Sequence, residues 1–495
     1  MPKPESDFFA YFIKTKDKKG PPSFAFGSKE HIEKVRANWS NKDNAPVSSS
    51  PHNDATDADA ANSTDDTDAD ASDFTHQSAL SEALTASVDF GLAQHELIEA
   101  AVIAPLMIRF VMAATVVIKP VIDEASMTEE DERFQIFGLT EQQYSTLAEN
   151  EEKYSLSVKG MERFPSATLL SLVATFDTLI LDVLAKMLRL QNDWLEKSER
   201  TIPLSKLANA ESLGEVISEQ IREEIYQFSR GSHTEQAEYI RRNFGINIID
   251  DWKRWPDYIE IFERRNLVAH GEKYFNQRYI SICEKNGHKG SDKLAGSEVK
   301  LSSSYLCQSL NVLIEFAVLF SFSLFRKFVK EKEEEAFTNL NDAVFKLIQK
   351  GHFLVADRLA AYALGLGKTK ITEEVRLMLI VNRASAVRHD GRNEEAREIL
   401  AKQDWSASSD LFQFCVAAVE GDTDKFISDL PKMKASQNIN TRALLTWPCF
   451  SFMREDEAAQ EKMRELFGIF TSNGSADVVE TADETVELSG GASVH

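Results

Sequence analysis

Apolar residues recur at helical spacing along most of the chain from about Ser78 onward. In FPSATLLSLVATFDTLILDVLAKMLRL (164–190), Leu169, Leu172, Val173, Phe176, Leu179, Ile180 and Val183 follow one another at the intervals that line up one face of an α-helix. That stretch predicts a core helix. LNVLIEFAVLFSFSLF (310–325) predicts a second, and its short length and internal Glu315 favour burial in protein over a place in lipid. AVIAPLMIRFVMAATVVI (101–118) is an 18-residue apolar run, long enough to raise the membrane question. Arg109 at its centre and Pro105 one turn earlier argue for a buried helix and make membrane contact the lesser expectation.

Further along, FKLIQKGHFLVADRLAAYAL, NRASAVRHDGRNEEAREILA and CVAAVEGDTDKFISDL share one layout. Each has an apolar helix, then a glycine (Gly351, Gly391, Gly421), then a second helix with Ala356, Ala396 or Phe426 five residues on. The glycines are 40 and then 30 residues apart, which brackets the roughly 34-residue period of helix-turn-helix repeats. The stretch resembles tetratricopeptide-like repeats. The resemblance implies stacked helix pairs with a concave groove that receives a protein segment.

These patterns predict an all-α protein in six parts. They are a short N-terminal segment (1–40), a disordered acidic linker (41–75), an N-terminal helical region (76–155), a helical bundle (160–330), helical repeats (335–470) and a disordered acidic tail (471–495). Residues 1–40 are mildly basic and carry Phe8, Phe9, Tyr11, Phe12, Phe24 and Phe26, which could dock on a core elsewhere. The linker, rich in Asp, Ala, Ser and Thr, holds too little apolar surface to offset the entropy of ordering it.

Composition changes the picture mainly through charge. The net charge of -23 and the pI near 5.0 exclude a broad basic footprint for nucleic acid. Much of the acid is local, however, in DATDADAANSTDDTDADASD (54–73) and SADVVETADETVELSGGASVH (475–495), so a basic patch elsewhere remains open. The four cysteines (Cys283, Cys307, Cys415, Cys449) form no CxxC pair and read as thiols in a reducing compartment. Cys283 with His288 is a weak metal pair, and no metal or other cofactor is expected. The opening MPKPESDFFAYFIKTKDKKG lacks the apolar run of a secretory leader, so a cytoplasmic location is expected. GLGKTK (365–370) ends like a phosphate-binding loop, yet Tyr362 stands where that loop needs glycine, and a helix precedes it where a strand is needed.

The chemistry gathers in RRNLVAHGEKYFNQRY (264–279). A helix over 257–270 would end at Gly271, the natural residue just past a helix C-terminus, and would leave His270 in the last turn beside free carbonyls. Asn266 lies one turn earlier on the same face. Arg265 is five residues back and reaches the same pocket only by wrapping its long side chain. Cleaving RNA without a metal requires a base for the 2′-hydroxyl, an acid for the leaving 5′-oxygen and a cation on the phosphate. Histidine suits the proton transfers and arginine grips phosphate with two donors. The bland alternative is that Glu263, Arg264 and Arg265 are solvated helix surface and His270 a helix cap.

RRNLVAH resembles the defining motif of the HEPN superfamily, an Arg followed after four to six residues by His, in the form where Asn follows the Arg. The long apolar helix with Asp177 before it, and Gly271, Tyr279 and a closing helix after it, match the branch associated with ribonuclease toxins. The resemblance covers about 160–330. It implies a HEPN-like helical bundle and a metal-independent endoribonuclease in which two protomers bring their Arg and His together. On that basis Arg265 would stabilise the scissile phosphate, His270 would act as general base or acid, and Asn266 would orient substrate. Asp177 is carried over as a catalytic candidate, though relatives more often have glutamate there. Arg264, six residues before His270, and Tyr279 are candidates for substrate binding. The expected partners are RNA, with tRNA and mRNA as candidates, a second copy in a homodimer or higher homo-oligomer, and a protein trigger or antitoxin held by the repeats. The expected role is a regulated toxin in phage defence (abortive infection) or a toxin–antitoxin pair. The competing expectation is a non-catalytic scaffold for dimerisation and protein binding.

Overall fold

The computed structural model describes residues 8–13, 23–28, 76–111, 125–130, 134–147, 163–190, 201–328, 333–367 and 371–469. The expected linker (41–75), residues 112–118 of the third apolar run and the expected tail (471–495) lie outside the described residues.

Most of the described chain is helical, as the 3.6-residue patterning predicts. One feature departs from the all-α expectation. Strands β1 (Phe8–Ile13), β2 (Ser23–Ser28), β3 (Ser126–Glu130) and β4 (Phe134–Leu139) form an antiparallel sheet in the order β2-β1-β4-β3. The segment 1–40 therefore supplies two strands, and 76–155 is only partly helical. FFAYFI and FQIFGL are aromatic-rich hexamers that fit a pleated surface. Their pairing, Phe8 opposite Leu139 through Ile13 opposite Phe134, joins segments more than a hundred residues apart, so no hairpin turn announces it.

The 36-residue helix α1 (His76–Val111) is the spine of the bundle. It lies along α2 (Phe164–Leu190) and α9 (Ser303–Phe328). Gly91 explains how closely α9 comes: a Cβ there would lie 2.6 Å from Ile314 Cδ1. One turn away the buried hydroxyls of Ser87 and Ser321 meet at 3.2 Å. Helices α2 and α9 are long and apolar enough to cross a membrane, but most of the apolar stretch of α9 is buried in the protein. Its Glu315 is held by Trp252 Nε1 at 2.9 Å and Arg358 Nη1 at 3.2 Å, so the buried carboxyl is compensated as burial requires. The C-terminal part of α1 reaches Val111, and its side chains from residue 99 on lie outside the described residues.

Between α2 and α9 come α3 (Leu204–Asn209), α4 (Leu213–Arg230), α5 (His233–Phe244), α6 (Ile248–Asp251), α7 (Trp255–Ala269) and α8 (Gln277–Lys285). Helix pairs follow: α10 (Glu333–Gln349) with α11 (Phe353–Gly365), α12 (Glu373–His389) with α13 (Asn393–Ala401), and α14 (Asp410–Glu420) with α15 (Thr423–Ala435). Each pair turns on its glycine, at φ 83° (Gly351), 83° (Gly391) and 82° (Gly421), a conformation that side-chain-bearing residues rarely adopt. Helices α16 (Thr441–Thr446), α17 (Ser451–Glu455) and α18 (Glu457–Phe467) close the array. The hydrophobic core does not divide at residues 155 or 335, where the sequence was parted. One buried cluster runs from Ala83 through the bundle and α10–α11 into α12, and a second begins at Ile380 within α12 and continues to Ile469. GLGKTK begins at Gly365, the last residue of α11, so a helix precedes it as expected; residues 368–370 lie outside the described residues.

Candidate functional site

Helix α7 opens with Pro256 in its first turn, where a missing N–H costs nothing, and buries Trp255, Tyr258, Ile259 and Phe262. It ends as predicted. His270 caps it, and Gly271 at φ 70° turns the chain away. Glu272 N donates to Leu267 O at 2.9 Å and Gly271 N to Val268 O at 3.1 Å, the paired reverse bonds that satisfy the last carbonyls of a helix. The exposed His270 ring is thereby carried at a rigid corner.

The six candidate residues are sorted onto three sides of α7. On the first side, Asn266 and His270 line an open groove of about 490 Å³, with Glu263, Arg278, Asn276, Glu272, Leu267 and Tyr279 completing the walls. The Asn276 side chain accepts from Tyr279 N at 3.0 Å and so starts α8, which positions Arg278. The Glu263 carboxyl is raised above the ordinary range by burial, while Arg278, Arg265 and a hydrogen bond with Asn266 pull it down. Two carboxyls (Glu263, Glu272), an imidazole, two amides and a guanidinium therefore share one groove.

On the second side, Arg265 meets Asp177 of α2, Nη2 to Oδ2 at 3.5 Å, and its Nε is buried without a hydrogen-bond partner. Burial pushes the Asp177 carboxyl up to about 6 although Arg265 pulls it down. His233, the first residue of α5, packs its ring 3.6 Å from the Phe262 ring centroid and sets Nδ1 3.0 Å from Gln236 Oε1. Burial, and then the nearby Arg265 charge, lower its pKa to about 4, so it stays neutral.

On the third side, Arg264 and Tyr279 come together inside the protein. The buried Glu260 carboxyl accepts from Arg264 Nε at 2.7 Å, Tyr279 Oη at 2.5 Å and Tyr305 Oη at 3.0 Å. Arg264 also donates from Nη1 to Lys300 O at 3.2 Å, and its guanidinium lies 3.9 Å from the Tyr305 ring centroid. Burial and the Glu260 charge raise both phenols well above their usual range. This knot ties α7 to α8 and α9 and leaves Arg264 little freedom to meet a ligand, although Tyr279 also forms part of the groove wall.

The structure thus brings Asn266 together with His270, Arg265 with Asp177, and Arg264 with Tyr279, and it keeps Arg265 out of the His270 groove lining. Glu263, Arg278, Glu260 and His233 had no assigned role in the sequence. Glu263 was legible, being three residues before Asn266 and seven before His270 on one helical face. Arg278 was not, because it returns through a turn whose geometry the local sequence leaves open. Cys283 is buried, His288 N donates to Cys283 O at 2.9 Å, and the His288 ring sets Nδ1 2.7 Å from Ser291 Oγ. Among the described residues no group of three or more His, Cys, Asp or Glu is arranged to hold a metal ion.

Comparison of the chain with protein-family models, with curated proteins and with solved structures gives no match.

Proposed function

We propose that the groove at the end of α7 cleaves RNA, and that the chain is a metal-independent endoribonuclease of the HEPN type. The observation that carries the reading is that Glu263, His270, Asn266 and Arg278 line one open groove. Phosphodiester cleavage needs two proton-transfer groups and a cation, and those residue types supply them. One of the pair His270 and Glu263 takes the proton from the ribose 2′-hydroxyl as its oxygen bonds to phosphorus. The other gives a proton to the 5′-oxygen as the P–O5′ bond breaks, leaving a 2′,3′-cyclic phosphate and a 5′-hydroxyl. Arg278 holds the phosphate oxygens and Asn266 orients them. Arg265 acts from behind, through its charge on Glu263, and reaches the phosphate only if it leaves Asp177 or a second copy of the chain presents it.

The biological setting we propose is a regulated toxin of phage defence or of a toxin–antitoxin pair, with a protein trigger or antitoxin on the helix pairs of 333–467. Induction of the intact chain in growing cells tests this, with RNA integrity and growth followed over time. The reading expects arrest and RNA fragmentation, alone or on phage challenge, and neither with His270→Ala. Equal tolerance of both chains under both conditions sinks it in favour of the non-catalytic scaffold. That second reading has one observation of its own: Arg264 and Arg265 are both held by carboxylates of the same chain.

A further inference from the structure

A second cavity, of about 440 Å³, lies away from the α7 groove, where α1, α10 and the segment 442–447 meet. Its walls are pinned together by described contacts. Asn339 Nδ2 of α10 donates to Ser81 Oγ of α1 at 3.3 Å, and Gln349 Nε2 of α10 donates to Thr446 O at 2.9 Å. The cavity is therefore built into the seam between the bundle and the helix pairs, and its size is that of a small-molecule site.

Its lining has a definite chemistry. Lys346 of α10 and Arg442 of α16 both line it, and among the described residues no carboxylate pairs with Arg442. Lys346 lies near Asp342, one turn back on the same helix; that carboxyl is raised by burial and pulled down by Lys346. In a chain of net charge -23, a cavity lined by two cations and a single carboxyl has a local excess of positive charge. Trp447 supplies an aromatic wall, its ring braced in parallel on Phe450 at 5.9 Å. Thr85 and Thr446 add hydroxyls. Two cations suit a dianionic phosphate, with Arg contributing a paired donor set. A tryptophan suits the face of a base, and a carboxyl suits hydroxyl or amino donors.

We propose that this cavity is a binding site for a small phosphorylated molecule with an aromatic body, of the nucleoside monophosphate class. The phosphate lies between Lys346 and Arg442, the base lies against Trp447, and Asp342 accepts from the sugar or the base. The assignment is independent of the ribonuclease reading, because no residue of the α7 groove lines it.

The test is calorimetric titration of the purified full chain with AMP, GMP, adenosine and inorganic phosphate, beside thermal melts with each. The expected result is binding of at least one monophosphate with a raised melting temperature, and at least about tenfold weaker binding of adenosine and of phosphate alone. Arg442→Ala and Lys346→Ala, both at exposed positions and checked for an unchanged melt without ligand, each weaken binding about tenfold or more. His270→Ala binds like the parent. The proposal is overturned by the absence of binding by either monophosphate at millimolar concentration, by unchanged affinity in both cation variants, or by phosphate alone binding as tightly as the nucleotide. The last outcome would mean a general anion site.

Discussion

Replacement of Glu260 tests whether the corner bearing His270 is held from behind. Its carboxyl is 4% exposed and receives donors from Arg264, Tyr279 and Tyr305, which belong to three different helices. Glu260→Ala leaves two phenols and a guanidinium facing one another without their shared carboxylate, and Arg264 keeps only its bond to Lys300 O. Removing one partner of a buried ion pair costs about 3–5 kcal/mol, and the net value of the hydrogen bonds lies inside that figure rather than adding to it. The expected loss is about 4 kcal/mol for Ala and about 2 kcal/mol for Gln, which keeps one acceptor oxygen. Glu394, paired with Arg397 on the open surface of α13, is the matched control, and its replacement by Ala changes stability by less than about 0.5 kcal/mol. Urea unfolding followed by tryptophan fluorescence reads the difference, since Trp252 and Trp255 sit against the same core. A loss below about 1 kcal/mol for Glu260→Ala would refute the knot as a structural element and return Arg264 to the list of free cations.

Three further outcomes follow from the geometry. Gly271→Ala meets no neighbour but must hold φ 70°, so it should cost about 1 kcal/mol by the same unfolding assay, and a neutral result would mean the helix ends differently. His233 and His352 have folded pKa values near 4, below their value in the unfolded chain, so their contribution is complete above about pH 6.5 and is lost as pH falls towards 4. Thermal melts of His233→Gln should show a shallower fall over that window than the parent; identical slopes would contradict neutral burial. Asp177 has the opposite sign: its raised pKa gives stability that is complete below about 3.8 and lost as pH rises through about 6, so Asp177→Asn should gain on the parent between pH 4 and 6, and a parent that gains there would reverse the assignment.

The helices were legible because burial imposes a 3.6-residue period, and α2, α7, α9 and the three glycine-centred pairs are all written in that period. The sheet was not, since β1 carries continuous apolar residues without alternation, β4 is broken by Gln135 and Gly138, and the two find each other across more than a hundred residues. The shared core of α1 with α2 and α9 was hidden for a related reason, as a period names a face but not what it packs on. At the site, the turn at Gly271 and the exposure of His270 were readable from a glycine after a helix. The fates of Arg264 and Arg265 were not, because adjacent residues on a helix point about 100° apart and different neighbours capture each one. A carboxyl four residues before Arg264, within the apolar WPDYIEIF, was the signal for the Glu260 pair.

RNA cleavage in the groove at the end of α7 is directly measurable. The most direct measurement is incubation of purified chain with total RNA and tRNA in EDTA, beside folded His270→Ala, Arg278→Ala and Arg265→Ala variants, with end-group analysis of the products. The expected products are fragments ending in 2′,3′-cyclic phosphate from the parent, alone or in phage-infected extract, with at least about hundredfold slower cleavage by His270→Ala, the usual scale for losing a proton-transfer group. Cleavage that survives loss of His270, or no cleavage by the parent under either condition, would contradict the ribonuclease reading.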